Sequence, residues 1–514
     1  MSVARLRDDL VLGCDVGSQG TNVAAYTAGG DLVVSAYEAY DVSFPAPSWA
    51  EQDPALWLEA LERAVQAVLA EPGVAASAIK GMSFGSQLDG VVAVDANGRP
   101  LRPALIWMDR RSEEQAQRLA ERIEPRDFYR DSGANLDSSH GVFKILWIRD
   151  VEPDTFAEAA SFHLPGSFVL AQVTGVQAVD YSNASSFALL DPRERRWSAS
   201  LVEVCELDES LLPPVRAGTD AVGTITSEFA EATGLDPTTV VAVGCGDEMA
   251  ATLGAGVYEP GEVCDVVGTA EPVCAASDQP REDETMLVEC HPHADPAVWL
   301  LENPGFVSGG NLRWFRDHFA PLELEAERNG GQDAYDALVT LADRVPAGAE
   351  GLVFLPCMQG AMAPEWNGAA RGVFHGLTLA HTRPHLFRAV LEGSAFALRD
   401  ILEAMRAAGL ETRRLTIVGG GAKGRLWRQI KADVTGLPVR VPENVETTAT
   451  GAAMLAAVGA GLHSSVGDAA DVFVRYEPGE IEPEPSAQEA YERAYGLYRE
   501  VYFALKPVFA SAPG

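Results

Sequence analysis

Apolar and polar positions alternate most tellingly from Asp9 to Val34. An apolar run (Leu10 to Gly13) leads into Asp15-Val-Gly17-Ser18-Gln19-Gly20-Thr21, then Val23-Ala-Ala-Tyr26, a Gly29-Gly30-Asp31 turn and Leu32-Val33-Val34. This pattern predicts a run of β-hairpins. Near the middle, Glu262-Val-Cys-Asp-Val-Val-Gly268-Thr269-Ala-Glu-Pro-Val273 repeats strand, Gly-Thr turn and strand, as if each half of the chain carried its own hairpin. Val240-Val-Ala-Val is an apolar strand ending in the turn Gly244-Cys-Gly246-Asp247-Glu248, and the small residues of Met249 to Gly256 suit a closely packed helix. Leu415-Thr-Ile-Val runs into Gly419-Gly420-Gly421-Ala422-Lys423, with a helix expected through Trp427, Gln429 and Asp433. Tyr491, Tyr495, Tyr498 and Tyr502 recur at helical spacing after a Ser486-x-x-Glu489 capping box, which reads as a packing face. The acidic, Pro-rich segment before it, Glu477 to Pro485, reads as a solvated strap.

Composition narrows the class. Hydrophobic residues are 47% and charged residues 22% of 514, with glycines and prolines spread along the chain, so the protein is globular and large enough for two lobes. With 39 basic against 74 acidic residues the net charge is −35, a field that repels phosphate backbones and anionic lipid. Nucleic acid and membrane are therefore not expected partners. Seven scattered cysteines without a CxxC pair argue against disulfides and a zinc ribbon. The opening residues carry no signal-like apolar stretch, so a cytoplasmic setting is expected.

The glycine turns are the candidate chemistry. Gly17 and Gly20 allow a tight turn with N–H groups pointing outward, and Ser18 and Thr21 add hydroxyls, a set that can hold phosphate oxygens. Such loops also serve simply as turns. Asp15 at the head of the turn suits a hard cation such as Mg²⁺. Asp247, at a strand end facing a cleft, can take a proton from a hydroxyl, or can merely cap the next helix. There is no Walker A loop, since Arg425-Leu426 stand where Lys and Ser or Thr are required. Lys423 and Arg425 read equally as local attraction for an anion and as solvated charges. His291-Pro-His293 has no convincing third ligand and reads as a surface loop.

Gly372-Val-Phe374-His-Gly376-Leu377, seven residues, and His385-Leu386-Phe-Arg-Ala389-Val390-Leu391-Glu392 match in full a signature of the FGGY carbohydrate kinases, and the chain resembles that family over nearly its whole length. Lys144-Ile-Leu-Trp147-Ile148-Arg-Asp150 nearly meets the other signature, with Gly141 where that pattern has Pro, Ser or Thr. Trp49-Ala-Glu51-Gln52-Asp53-Pro54, Gln87-Leu88-Asp89-Gly90 and Ile106-Trp107-Met-Asp109-Arg110-Arg111 most resemble the family's xylulose-type members.

The resemblance implies an α/β actin/hexokinase-like (ribonuclease H-like) fold of two lobes around a central cleft. It places residues 1–255 in a sugar-binding lobe and 256–514 in a nucleotide lobe, with a closing hinge near Gly254 to Gly261. ATP and Mg²⁺ are the implied cofactors. Asp15 and Asp247 would hold the metal; Gly17, Ser18, Gln19, Thr21, Gly268 and Thr269 would bracket the phosphates; Gly419, Gly420, Gly421 and Ala422 would line the adenosine pocket. Gln87, Leu88, Asp89, Trp107, Asp109, Asp247 and Glu248 would meet a small sugar or polyol, D-xylulose or a related pentulose first, with Asp247 as general base. A homodimer stays open. Leu88-Asp89 replaces the family's usual Met-His, Glu248 its Asn, and Ala270-Glu271 follows Gly268-Thr269 where the family more often has Gly-Thr-Ser. These departures favour a neutral acceptor over an acid such as gluconate. They also leave a second reading, an actin-like nucleotide switch or degenerate kinase acting through a protein partner.

Overall fold

The computed structural model describes residues 9–511. The first hairpins form as the alternation requires: β1 (Leu10–Val16), β2 (Gly20–Thr27) and β3 (Leu32–Ala39) are antiparallel neighbours. On the other side of β1 lies β4 (Ile79–Ser86), parallel to it and buried along most of its length. Beyond it are β5 (Ala221–Thr224) and β6 (Val240–Ala242), with the short β7 (Cys245–Gly246) also on β4, making a seven-stranded sheet.

The second sheet repeats this plan. The hairpin β8 (Glu262–Val266) and β9 (Ala270–Ser277) is extended by antiparallel β10 (Glu289–Pro292) and β11 (Trp299–Val307). On its other side are the parallel strands β12 (Arg414–Val418) and β13 (Val439–Arg440). In each sheet a glycine-turn hairpin therefore lies beside a parallel strand whose carboxyl end opens into the same crevice as the turn, the usual place for a ligand in α/β sheets.

Between the sheets lie α1 (Asp247–Gly254) and α5 (Thr447–Gly459); helices α2 (Gly309–Phe319), α3 (Arg383–Ala407) and α4 (Arg425–Thr435) dress the second sheet. Small residues let these layers touch. A Cβ on Gly13 would overlap the Ala449 carbonyl oxygen, one on Gly254 that of Thr447, and one on Gly451 that of Ala250. Val11 and Ala24 of the first sheet and Cys264 and Cys274 of the second share one buried cluster with Met249, Ala449 and Ala453. The chain thus crosses back: α5, beyond residue 255, packs against β1 and β4.

The C-terminal helix α6 (Pro485–Ser511) buries Tyr491, Tyr495, Tyr498 and Tyr502, as the spacing predicts. It starts at Pro485, which puts Ser486 inside the first turn and not at the expected cap. His291 and His293 are corrected outright: they lie in and beside β10, only 4% and 2% exposed, because the apolar flank of this stretch is an inner strand. Among the described residues no helix is long and apolar enough to cross a membrane.

Candidate functional site

The first turn is built to show its amides. Gly17 N donates to Gly20 O at 3.0 Å, and the intervening carbonyls are drawn back by side chains. Tyr40 Oη donates to Gly17 O (2.7 Å), Gln52 Nε2 to Ser18 O (2.7 Å) and Tyr37 Oη to Gln19 O (3.0 Å). With the oxygens held behind, the N–H groups face the cleft, the arrangement of an anion nest. Gln87 belongs to this support, donating to Gln52 Oε1 at 3.0 Å and to Gly17 O at 3.3 Å. Thr21 is fully buried beside the Tyr40 hydroxyl, so it braces the strand and does not reach a phosphate.

The second turn meets the third glycine segment directly. Gly421 N donates to Val267 O at 3.2 Å, and Gly419 holds φ +82 with its α-carbon against that same carbonyl. Thr269 O accepts from Ser308 N and Gly310 N, at the start of α2. Together they border a cavity of about 540 Å³ lined by Gly268, Thr269, Arg313, Tyr335, Gly420 and Trp427, among others. Lys423 is on its rim. Ala422 is buried, its carbonyl taken by Arg428, so Gly420 and Gly421 form the wall while Gly419 and Ala422 shape it from behind.

Asp247 is the first residue of α1, and Asp15 the penultimate residue of β1. Both sit deep in the cleft and remain partly open. Burial, then Glu446, raises the Asp15 carboxyl to about 7. Burial, then Glu248 and Asp15, pushes Asp247 well above the usual carboxylate range. Among the described residues neither has a Lys or Arg partner. Two converging hard oxygen ligands with uncompensated charge are the donor set Mg²⁺ takes, so the residues present fit that ion.

Beside the first turn of α1, where Met249 lines it, a small cavity of about 60 Å³ is walled by Leu88, Asp89, His140, Glu289, His291 and Glu302, with Ser182, Ser186 and Trp366 among the rest of its lining. Asp89, at φ +58, donates its backbone N–H to Ser186 Oγ at 3.1 Å, and its Oδ1 lies 3.2 Å from His140 Nδ1. Burial opposes charge on His140, but Asp89 and Glu289 outweigh it and lift the imidazole to about 10. Glu289 is held below the ordinary range against its burial by the two histidines beside it. Glu248 lies behind this wall, against Glu302.

Asp109, expected at the acceptor, and Glu271, one of the departures bearing on substrate choice, stand elsewhere. Asp109 is fully buried; Arg111 Nη2 donates to its Oδ2 at 2.7 Å and Ala50 N to the same oxygen at 2.6 Å, so it braces the Trp107 loop. Glu271 turns into the second lobe, with Lys431 Nζ at 2.9 Å and the Ser308 hydroxyl on its other oxygen. It cannot bear on the acceptor. The sequence reading missed His140, Glu289, His291, Glu302 and Glu446. The available signal was a glutamate and two histidines inside the apolar strand pattern of Leu287-Val-Glu-Cys-His-Pro-His.

Residues 10–254 match the N-terminal domain of the FGGY family of carbohydrate kinases, and residues 265–460 match its C-terminal domain. The chain belongs to this family. It is a carbohydrate kinase, a sugar phosphotransferase. The xylulose kinase of Escherichia coli (strain K12) is 30% identical over 505 residues, covering 98% of this chain and all of that one. The gluconokinase of Bacillus subtilis (strain 168) is 29% identical over 464 residues, 90% of each. A crystal structure of xylulose kinase from Rhodospirillum rubrum superimposes with a TM-score of 0.90 at 30% identity, over 98% of this chain and the whole of that one. The two-lobed α/β fold is thus that of the FGGY kinases.

Proposed function

We propose that this kinase transfers the terminal phosphoryl group of ATP to a hydroxyl of a small neutral ketose or polyol, D-xylulose or a related pentulose first, in the cytoplasm. The reading rests on Asp247, a partly open carboxyl at the start of α1 close enough to Asp15 to feel its charge, on the helix whose Met249 lines the small cavity. Burial and the neighbouring Glu248 and Asp15 raise its affinity for a proton, which strengthens it as a base. The acceptor hydroxyl gives its proton to the Asp247 carboxylate as its oxygen bonds to the γ-phosphorus and the bond to the ADP oxygen breaks. Mg²⁺, held by Asp15 and Asp247, would offset charge on the phosphates. The Gly17–Gln19 and Gly268–Thr269 turns would hold the phosphate oxygens, and the cavity at Gly420 and Gly421 the adenosine.

Surplus carboxylates around the small cavity favour hydroxyl-bearing acceptors over aldonic acids, since like charges at such distances repel strongly where water is excluded. The test is a panel of ketoses, polyols and aldonates with ATP and Mg²⁺, and Asp247→Asn on the best acceptor. Turnover should fall about 10²–10⁴-fold in the variant with nucleotide affinity little changed. Retained turnover removes Asp247 as the base. Nucleotide binding without phosphorylation of any acceptor overturns the kinase reading in favour of a switch.

A further inference from the structure

The strand register of the second sheet sets Cys274, Glu302 and Glu289 opposite one another on β9, β11 and β10. This row faces α1 of the first lobe, where Glu248 sits. The wall of the acceptor cavity is therefore made by both lobes, Asp89, His140 and Ser186 from the first and Glu289, His291 and Glu302 from the second.

Most polar groups of that wall are already engaged. Glu289 Oε1 accepts Asn135 N at 2.8 Å and its Oε2 lies 3.2 Å from His291 Nε2. His291 Nδ1 is 2.7 Å from Ser185 Oγ. Ser182 Oγ accepts Gly246 N at 2.9 Å, and Ser186 Oγ donates to Asn183 O at 3.1 Å while accepting Asp89 N. Glu302 differs. Its nearest cationic neighbour among the described residues is His291 Nε2 at 3.8 Å, beyond hydrogen-bond reach. Behind it, Glu248 Oε2 is buried without any hydrogen-bond partner. The carboxylate oxygens of Glu248 and Glu302 lie within 4.8 Å of each other. Accepting capacity that is open to the cavity remains on Glu302.

We propose that Glu302, backed by Glu248, is an acceptor-specificity residue that takes a hydrogen bond from a hydroxyl at the end of the acceptor remote from the transferred phosphate. The cavity, at about 60 Å³, has room for several water-sized groups and so for a hydroxymethyl and its neighbour. An acceptor with a methyl group there leaves the buried carboxyl pair without its donor, and sites built around a substrate hydroxyl reject the analogue lacking it far more strongly than apolar pockets reject a size change. This inference rests on the kinase reading and adds the residue that selects the substrate class.

The experiment compares kcat/KM for the acceptor that the wild type turns over best with that for its deoxy analogue lacking the remote hydroxyl, in wild type, Glu302→Gln and Glu302→Ala. The wild type should prefer the hydroxylated acceptor by about 10–100-fold. Glu302→Ala should bring the ratio to within about threefold of unity, and Glu302→Gln, which keeps one accepting oxygen, should keep part of the preference. The KM for ATP should stay unchanged in both, which also reports that the variants are folded. A preference that survives Glu302→Ala, or a loss of equal size for both acceptors, overturns the role of Glu302 and leaves the kinase reading standing. No wild-type turnover on any acceptor overturns both.

Discussion

Trp107 Nε1 donates to Ser18 Oγ at 2.7 Å, joining an indole that is 44% exposed to the side chain of the first phosphate turn. A residue expected at the acceptor is thereby wired to the turn proposed for the phosphates. The loop carrying Trp107 is pinned by the buried Asp109–Arg111 pair, whose guanidinium also lies 3.7 Å from the ring centroid of Trp49. The indole is therefore presented on a rigid base.

Removing the donor while keeping an aromatic ring should loosen Ser18. In Trp107→Phe the KM for ATP is expected to rise about three- to tenfold, the worth of one partly exposed hydrogen bond. Trp107→Ala should add a comparable rise in the acceptor KM by removing the ring itself. Steady-state kinetics with each substrate varied in turn separates the two effects, and unchanged nucleotide KM in Trp107→Phe would show that Ser18 needs no such support.

Glu271 gives the second expectation. Its ion pair with Lys431 is buried with Asp265 on the other side of the ammonium, and Asp265 Oδ1 is left without a partner. Burial, then Asp265, lifts the Glu271 carboxyl to about 8 even beside the lysine. Lys431→Met should leave two buried acids uncompensated and destabilise the protein by about 3–5 kcal/mol. Glu271→Gln should cost less and leave the ranking of acceptors unchanged. Denaturant unfolding measures the first, and the acceptor panel the second; a changed ranking would give Glu271 a bearing on the acceptor after all.

These cases show what the chain discloses by itself. Residues 10–27 and 262–277 announce their hairpins because glycine turns and strand alternation are local, and the long signature at 372–392 is local too. The fate of Glu271 was not legible, since a carboxylate beside a glycine turn looks the same whether it faces a cleft or a lysine 160 positions away, and that of Asp109 was not, since its neighbour Arg111 reads the same whether the pair is buried or solvated. Glu302 and Glu289 were hidden for the same reason. Only the pairing of β10 with β11, and the approach of α1 from the other lobe, turns isolated strand glutamates into one wall. The crossing of α5 was equally silent, because Ala- and Gly-rich helices carry no polar face to show which sheet they cover.

That crossing is testable through its glycines. Gly254 and Gly451 sit where α1 and α5 meet backbone to backbone, and a methyl on either would overlap a carbonyl oxygen of the other helix. Neither overlap can be relieved by rotating a flexible side chain. Gly451→Ala should therefore destabilise the protein by about 1–3 kcal/mol. By shifting α1 it should also lower turnover, since Asp247 and Glu248 open that helix. Thermal melting and kcat on one preparation check both, and a variant with wild-type melting would mean that the helices separate freely.

His163 allows a prediction whose sign follows from burial alone. It is 1% exposed, with Nδ1 3.2 Å from Ser167 Oγ and, among the described residues, no acid beside it, and desolvation lowers the imidazole to about 4 from 6.5. Between these values the unfolded chain binds a proton that the folded protein does not. Stability must then rise with pH across this window, and the contribution is lost as pH falls through 6.5 toward 4. The full difference amounts to about 3 kcal/mol. His163→Gln removes the titrating ring, so the difference in unfolding free energy between pH 7 and pH 4.5 should shrink by about 2–3 kcal/mol relative to wild type. An unchanged pH slope would mean that His163 takes up its proton in the folded state, and with it that the strand carrying it opens to water.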